Sequence, residues 1–306
     1  MTRATVFAPA SIGNVGPGFD VLGLAVDGLG DVVTVELTDG PPSVADVTGR
    51  DASLVPREPA KNVAVIAAQA YLRAAGSARN AIVTIEKGLA LAGGMGGSAA
   101  SSVGGALAAA FALEHVPESR AVIAAALEGE AVASGGRHLD NIAPCVLGGL
   151  VLVLSTDPVD VVAVPVAAAW WAALVTPSVR IETKAARALL PIEWDRASWI
   201  RQMANTTGIT HAFSIGDGAL LRRALDDLYA EPRRASLIPH FFDVKRAALD
   251  AGSIGCSISG SGPTIFAIAR DEESARRCAA SMQRAFAEVP SVAHVGAISA
   301  RGATRR

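Results

Sequence analysis

Apolar and polar residues alternate strictly through Ala81-Ile82-Val83-Thr84-Ile85-Glu86, which predicts a strand with one buried face. The same period predicts a short strand at Thr5-Val6-Phe7 and another over residues 31–37. A helical period takes over at residues 63–75, where Val63, Ile66, Ala67, Ala70 and Tyr71 share a face, Asn62 can cap the start and Gly76 marks the end. Residues 98–113 are small and apolar and predict a buried helix, and Pro117 and Glu118 open a further one over 119–133. The apolar run 161–176 contains Pro165 and predicts two buried strands rather than one span. A helix-favouring stretch covers 182–190, and longer helices are predicted over 195–211, 215–228 and 233–251. Strands at 150–154, 253–259, 264–269 and 293–299 and a helix at 271–288 complete the pattern. Residues 8–20 hold three glycines and two prolines and predict irregular structure, and 41–59 predict a surface excursion. The mixed order of strands and helices predicts two α+β layers rather than a doubly wound sheet.

Composition narrows the class. The 306 residues are 51% hydrophobic and 18% charged, with a formal net charge of −2, enough for one large domain or two modest ones. A near-neutral surface with only two Tyr and four Trp offers neither the electrostatic nor the stacking footprint of a nucleic-acid binder. Cys145, Cys256 and Cys278 are odd in number and fit no zinc or disulfide pattern, as expected of buried thiols in a reducing compartment. With no charged N-terminal region leading into an apolar run, and no membrane-length stretch, the expectation is a cytoplasmic soluble enzyme.

Candidate chemistry centres on the turn between the 81–86 strand and the 98–113 helix. Gly93, Gly94, Gly96 and Gly97 there allow backbone N–H groups to approach an anion, and the helix start adds unpaired donors. No Gly-Lys-Ser/Thr follows, so this is not a Walker A loop. The residues also fit a loose dinucleotide fingerprint, with Glu114 near the distance of the ribose-binding acid, and equally a ligand-free Gly/Ala helix packed on a sheet. On residues 8–20 the long polar side chains are Asn14 and Asp20, which suit a small substrate carrying an amine or an Asx-stabilised turn. Glu130 lies among Ala126, Leu127, Ala131 and Val132, so a buried carboxylate is expected. His138-Leu139-Asp140-Asn141 reads as a helix cap or a site, and the lack of a second nearby His argues against zinc. A second glycine turn, Gly260-Ser261-Gly262-Pro263, separates the two late strands.

Together the three glycine-rich segments resemble, in this order, the three motifs of the GHMP small-molecule kinases. The first is Pro9-Ala10-Ser11-Ile12-Gly13-Asn14-Val15-Gly16-Pro17-Gly18-Phe19-Asp20, the second the glycine loop, and the third Ser257-Ile258-Ser259-Gly260-Ser261-Gly262-Pro263-Thr264. Asp140-Asn141-Ile142-Ala143-Pro144-Cys145 and the segment from Glu231 to Pro239 are similar to the branch of the family that phosphorylates the amino acid L-homoserine. Departures fall mostly in the second motif: Ala90 stands where the family has Pro, Met95 for Leu, and Gly97 for the first serine. His240 stands for a Gly.

The resemblance implies a two-layer α+β GHMP fold: an ATP-binding N-terminal half over residues 1–157 with a left-handed βαβ unit, and a ferredoxin-like half over 158–306. It implies a homodimer, and ATP-dependent phosphorylation of the L-homoserine hydroxyl. Ala90, Leu91, Ala92, Gly93, Gly94, Met95, Gly96, Gly97, Ser98, Ala99 and Ala100 would hold the ATP phosphates, and Ser98 and Glu130 the Mg²⁺ ion. Asp20 would take the substrate ammonium, and Arg187 with Arg234 (or Arg233) its carboxylate. Asn14 and Asn141 would orient the hydroxyl, with His138, Thr183 and Gly260 completing the substrate site; Glu130, Asn141 and Arg187 would carry catalysis. No clear general base is implied: Thr183 cannot serve near neutral pH, His138 is the nearest candidate, and the hydroxyl proton is expected to leave late. Three rivals stand beside this reading: a GHMP kinase for mevalonate or a sugar, a dinucleotide-dependent oxidoreductase, and a non-catalytic nucleotide-binding relative.

Overall fold

The computed structural model describes residues 2–306, apart from the side chains of residues 133 and 134. Strand β1 (Arg3–Gly13) runs antiparallel to β2 (Leu22–Thr38). The expected irregularity from residue 8 is therefore corrected: Pro9 is accommodated because the register shifts between Pro9 and Ala10, and a bulge spares the missing N–H. Strand β3 (Ser43–Gly49), inside the expected surface excursion, pairs parallel with β4 (Asn80–Lys87), and α1 (Val63–Ala74) connects the two. Its side chains are mostly solvent-facing, which is why no alternation marked it. The Asn62 side chain caps α1 by accepting from the N–H groups of Ala64 and Val65.

Helices α2 (Gly97–Ala112), α3 (Ser119–Ser134) and α4 (Leu139–Leu147) follow β4 directly, before β5 (Leu150–Thr156) pairs antiparallel with β2. The dinucleotide reading needs a second parallel strand after the glycine-loop helix, and here α3 stands in that place. Glycines let α2 sit between sheet and α1: a Cβ on Gly104 would lie 2.5 Å from Val33, and one on Gly105 would strike the backbone of Ala64. Strand β6 (Val159–Val164) pairs with β5 at the edge of the same sheet and is largely exposed, not buried as expected. The expected division at 157/158 thus runs through the β5–β6 hairpin.

Strand β7 (Trp171–Pro177) opens the second half, followed by α5 (Thr183–Ala188), α6 (Arg196–Ile215), α7 (Gly218–Ala224), α8 (Glu231–Arg234) and α9 (Phe241–Asp250). The single helix expected over 233–251 is broken at Pro239 and His240, the latter at φ 56° before α9 begins. Strands β8 (Gly255–Ile258) and β9 (Ile265–Ala269), α10 (Glu272–Ala285) and β10 (Ser291–Ala297) complete an antiparallel sheet in the order β10-β7-β9-β8. That is the 4-1-3-2 order of a ferredoxin-like layer. The chain then returns, and β11 (Thr304–Arg305) pairs with β1. One core joins the halves: Ile12, Leu24 and Leu89 of the first pack in the same cluster as Trp170, Phe213 and Ile268 of the second.

Candidate active site

A cleft of about 620 Å³ opens where the loop after β1, the β4–α2 turn, the start of α4, α5, Arg234 of α8 and the β8–β9 turn converge. The β1 loop is strained, with Asn14, Val15, Gly16 and Asp20 all at positive φ, and only one of the four is glycine. Hydrogen bonds hold it in place. The Asn14 N–H donates to Asp140 Oδ2 at 3.2 Å, Asn14 Nδ2 donates to the Gly260 carbonyl at 3.0 Å, and Asn14 Oδ1 accepts from the Asp20 N–H at 3.0 Å. From behind, Gln202 Nε2 and Thr206 Oγ1 each donate to the Pro17 carbonyl at 2.9 Å.

The glycine loop is fixed at both ends by a buried ion pair. Lys87 Nζ meets Asp31 Oδ2 and also donates to the Gly97 carbonyl and Ser101 Oγ, each at 3.0 Å. Asp31 Oδ1 accepts from Gly88 N–H and Leu89 N–H at 3.1 Å. Across the cleft, Ser259 Oγ donates to the Gly94 carbonyl at 2.6 Å and Thr264 Oγ1 to the Gly93 carbonyl at 2.5 Å, so the third motif seats the second. Gly94 is at φ +79°, and a Cβ there would lie 2.6 Å from the Ser259 carbonyl and 2.7 Å from that of Gly262. Gly94→Ala is accordingly expected to weaken Mg·ATP binding about 10–100-fold, the equivalent of the strain of a forced left-handed residue. Calorimetric titration with Mg·ATP checks this; unchanged affinity would show that the loop can re-form.

In the wall of the same cleft, Asp20 and Arg187 form a two-pronged pair, Nη1 to Oδ2 at 2.9 Å and Nη2 to Oδ1 at 2.8 Å. Both guanidinium groups, of Arg187 and Arg234, lie over the Phe19 ring, at 5.0 and 5.4 Å from its centroid. His138 Nδ1 is 3.2 Å from Arg187 Nη2. Burial first, then the Arg187 charge, hold the imidazole pKa below its usual value, so a neutral ring accepts from the guanidinium. Arg234 donates to the Gly260 carbonyl at 2.9 Å. Arg233 instead donates to the Leu228 and Tyr229 carbonyls and does not line the cleft, which leaves Arg234 as the member of the pair facing it.

Asn14, Asp20, Leu91, Ala92, Gly93, Gly94, Gly96, Gly97, Ser98, Glu130, His138, Asn141, Thr183, Arg187, Arg234 and Gly260 all line this cleft. Ala90 does not, and Met95, Ala99 and Ala100 are buried in the core beneath it. Asn14 faces the cleft but spends its amide on the loop and on Gly260, whereas Asn141 gives its oxygen to Ser11 Oγ at 2.9 Å and keeps its NH₂ available. Thr183 Oγ1 lies 3.4 Å from Ser261 Oγ. Phe19, Asp140, Glu182, Lys184 and Ser261 also line the cleft, and the sequence assigns none of them a ligand. For Asp140 the available signal was its place next to Asn141.

The Ser98 hydroxyl and Glu130 carboxylate face the same cleft, Glu130 being 7% exposed. Both are hard oxygen donors of the kind Mg²⁺ accepts. No cluster of three or more metal-ligating side chains exists among the described residues, which suits an ion completed by nucleotide phosphates and water rather than a protein cage. No helix of the described residues is long and apolar enough to cross a membrane.

Residues 62–149 match the GHMP kinases N terminal domain and residues 209–288 the GHMP kinases C terminal region. The chain belongs to the GHMP kinase family, and its architecture is that of the family's two-domain fold. Homoserine kinases are among its relatives in the family. That of Chloroherpeton thalassium is 40% identical over 299 residues, covering 94% of this chain and 94% of the relative. That of Xanthomonas campestris pv. campestris is 42% identical over 291 residues, covering 94% and 89%. The crystal structure of homoserine kinase from Cytophaga hutchinsonii superposes with a TM-score of 0.95 at 39% identity, covering 100% of this chain and 98% of that one.

Proposed function

We propose that this chain is a homoserine kinase, transferring the γ-phosphoryl group of ATP to the side-chain hydroxyl of L-homoserine to give O-phospho-L-homoserine for threonine biosynthesis. The observation that carries the substrate assignment is the Asp20–Arg187 pair lining the same cleft as the glycine loop, with Arg234 also in its wall. A zwitterion offers a partner to each member: its ammonium replaces the guanidinium on Asp20, and its carboxylate replaces Asp20 on Arg187 and Arg234. A neutral sugar carries no charge to exchange with either member of the pair, and mevalonate offers a carboxylate to Arg187 but no ammonium for the Asp20 it would displace. Among the curated relatives, names that agree on homoserine support the same reading.

The glycine loop and the first turn of α2 would hold the triphosphate, and Ser98 and Glu130 a Mg²⁺ ion that neutralises phosphate charge when bound. Asn141 has an amide donor left to orient the hydroxyl, and the whole arrangement works by positioning and charge. The reading extends to a cytoplasmic enzyme acting as a homodimer, supported by exposed apolar side chains of Ile192, Trp199, Ile200 and Met203.

A coupled ADP-release assay with Mg·ATP tests it, comparing L-homoserine with mevalonate, galactose, L-serine, L-threonine, 4-hydroxybutyrate and 3-aminopropan-1-ol. Turnover is expected with L-homoserine, and at least about 100-fold lower kcat/KM for the two analogues missing one charge, because each leaves a desolvated charge unmatched. Efficient turnover of mevalonate or galactose would keep the family and overturn the substrate; nucleotide binding without any turnover would favour a binding protein.

A further inference from the structure

Phosphoryl transfer relies on positive charge placed against the oxygens of the moving group. The glycine loop brings none, since residues 88–100 contain no Lys or Arg. Lys87, just ahead of it, is engaged in the interior on Asp31, the Gly97 carbonyl and Ser101. Among the described residues the Lys and Arg side chains lining the cleft are Lys184, Arg187 and Arg234. Arg187 is forked onto Asp20, and Arg234, 2% exposed, donates to the carbonyls of Ala186 and Gly260. Lys184 is exposed, and no hydrogen bond or ion pair engages its ammonium among the described residues.

Helix α5 sets where that ammonium reaches. Thr183, the first residue of α5, has Oγ1 3.4 Å from Ser261 Oγ in the β8–β9 turn. In the same turn a Cβ on Gly260 would lie 3.4 Å from the Gly94 carbonyl, which also accepts from Ser259 Oγ. The first turn of α5 therefore meets the element that seats the glycine loop, while Arg187 in its last turn holds Asp20. Lys184 and Arg187, three residues apart, share a face of the helix.

We propose that Lys184 is a catalytic cation whose ammonium donates to the non-bridging oxygens of the γ-phosphoryl group during transfer, a role that rests on the kinase reading above. The substrate hydroxyl oxygen forms its bond to the γ-phosphorus as the bond from that phosphorus to the β–γ bridging oxygen breaks. The electron pair of the broken bond leaves on ADP, the hydroxyl proton is lost to water, and Lys184 keeps its own protons throughout. A compact ammonium with three donors on a flexible stem can follow a group that moves from one oxygen to another, which a rigid guanidinium fork cannot do as well. The substrate carboxylate is the other anion within the cleft, and it already has Arg187 and Arg234, both over the Phe19 ring, proposed for it.

Lys184→Met keeps the apolar stem and removes the charge, and its urea unfolding midpoint is expected to match the parent's because the ammonium has no partner in the fold. Its single-turnover rate, with Mg·ATP and L-homoserine both saturating, is expected to be at least about 30-fold lower, the solvent around Lys184 moderating the effect of a buried donor. Lys184→Arg, which keeps the charge, is expected to fall between the two. Calorimetric titration reads the γ-contact directly: Lys184→Met should bind the non-hydrolysable analogue Mg·AMPPNP about threefold to tenfold more weakly and Mg·ADP unchanged. Any one of three results overturns the proposal: a saturated rate for Lys184→Met within about threefold of the parent, a Lys184→Arg rate no higher than that of Lys184→Met, or equal weakening of Mg·AMPPNP and Mg·ADP. A rise confined to the KM for L-homoserine is an instance of the first and would assign Lys184 to the substrate carboxylate. The titration needs no alcohol, so it is read even where L-homoserine is not the substrate; a parent that phosphorylates another alcohol fails the substrate reading alone, and the rates are then compared on that alcohol.

Discussion

Lys87→Met is expected to lower the free energy of unfolding by about 3–5 kcal/mol, the cost of leaving one charge of a buried pair without its partner. The Lys87 and Asp31 side chains are 1% and 0% exposed, so water cannot replace the lost ammonium. What remains around Asp31 is the pair of N–H groups from Gly88 and Leu89 and the Ser101 hydroxyl, enough to orient the carboxylate but not to neutralise it. Urea unfolding of parent and variant measures the difference. The double variant Lys87→Met with Asp31→Leu is expected to recover a large part of it, because removing both charges also removes the desolvation penalty. A shift under about 1 kcal/mol for the single variant would mean that the pair is not held apart from solvent. The same brace touches Gly88, Leu89 and Gly97, so weaker Mg·ATP binding should accompany the lost stability.

Arg187→Ala is expected to reduce kcat/KM for L-homoserine about 1,000-fold, or about 4 kcal/mol. Three things go at once: the fork proposed to take the substrate carboxylate, the cation paired with Asp20, and the donor facing His138. The side chain is 38% exposed, so the fold should survive with little change in unfolding midpoint. Arg187→Lys keeps the charge without the fork and is expected to fall between parent and Ala variant. Steady-state kinetics with L-homoserine varied at saturating Mg·ATP separate the outcomes. A loss confined to the Mg·ATP KM would place Arg187 at the nucleotide rather than at the amino acid.

Much of this was legible along the chain because the interactions involved are local. Asn62 caps α1 through N–H groups two and three residues on, and the small apolar run of α2 shows at once that it is buried close against neighbours. Glycines at Gly94 and Gly96 mark backbone that an ordinary side chain would strain. Other elements resisted for equally physical reasons. Strand β1 continues through Pro9 because a bulge in its pairing with β2 removes the need for the proline N–H, and the partner strand lies elsewhere in the chain. Strand β3 is an exposed edge with no apolar alternation to announce it. The break before α9 falls at Pro239 and a left-handed His240, a conformation that a non-glycine residue does not announce in sequence.

By itself, then, the sequence determined the α+β class, the glycine-rich turns and the residue types of a phosphoryl-transfer site, since periodicity, capping and backbone freedom act over a few residues. Only the tertiary structure decided which of those residues share a wall. Asn14 reaches Asp140 and Gly260 across 126 and 246 positions, Arg187 closes on Asp20 across 167, and Lys87 ties the glycine loop to Asp31 across 56. A carboxylate's function depends on the dielectric and charges around it, and for Asp140 these come from the β1 loop, α3 and α5 rather than from its own helix. Burial and charge meet in space, and no spacing along the chain encodes them.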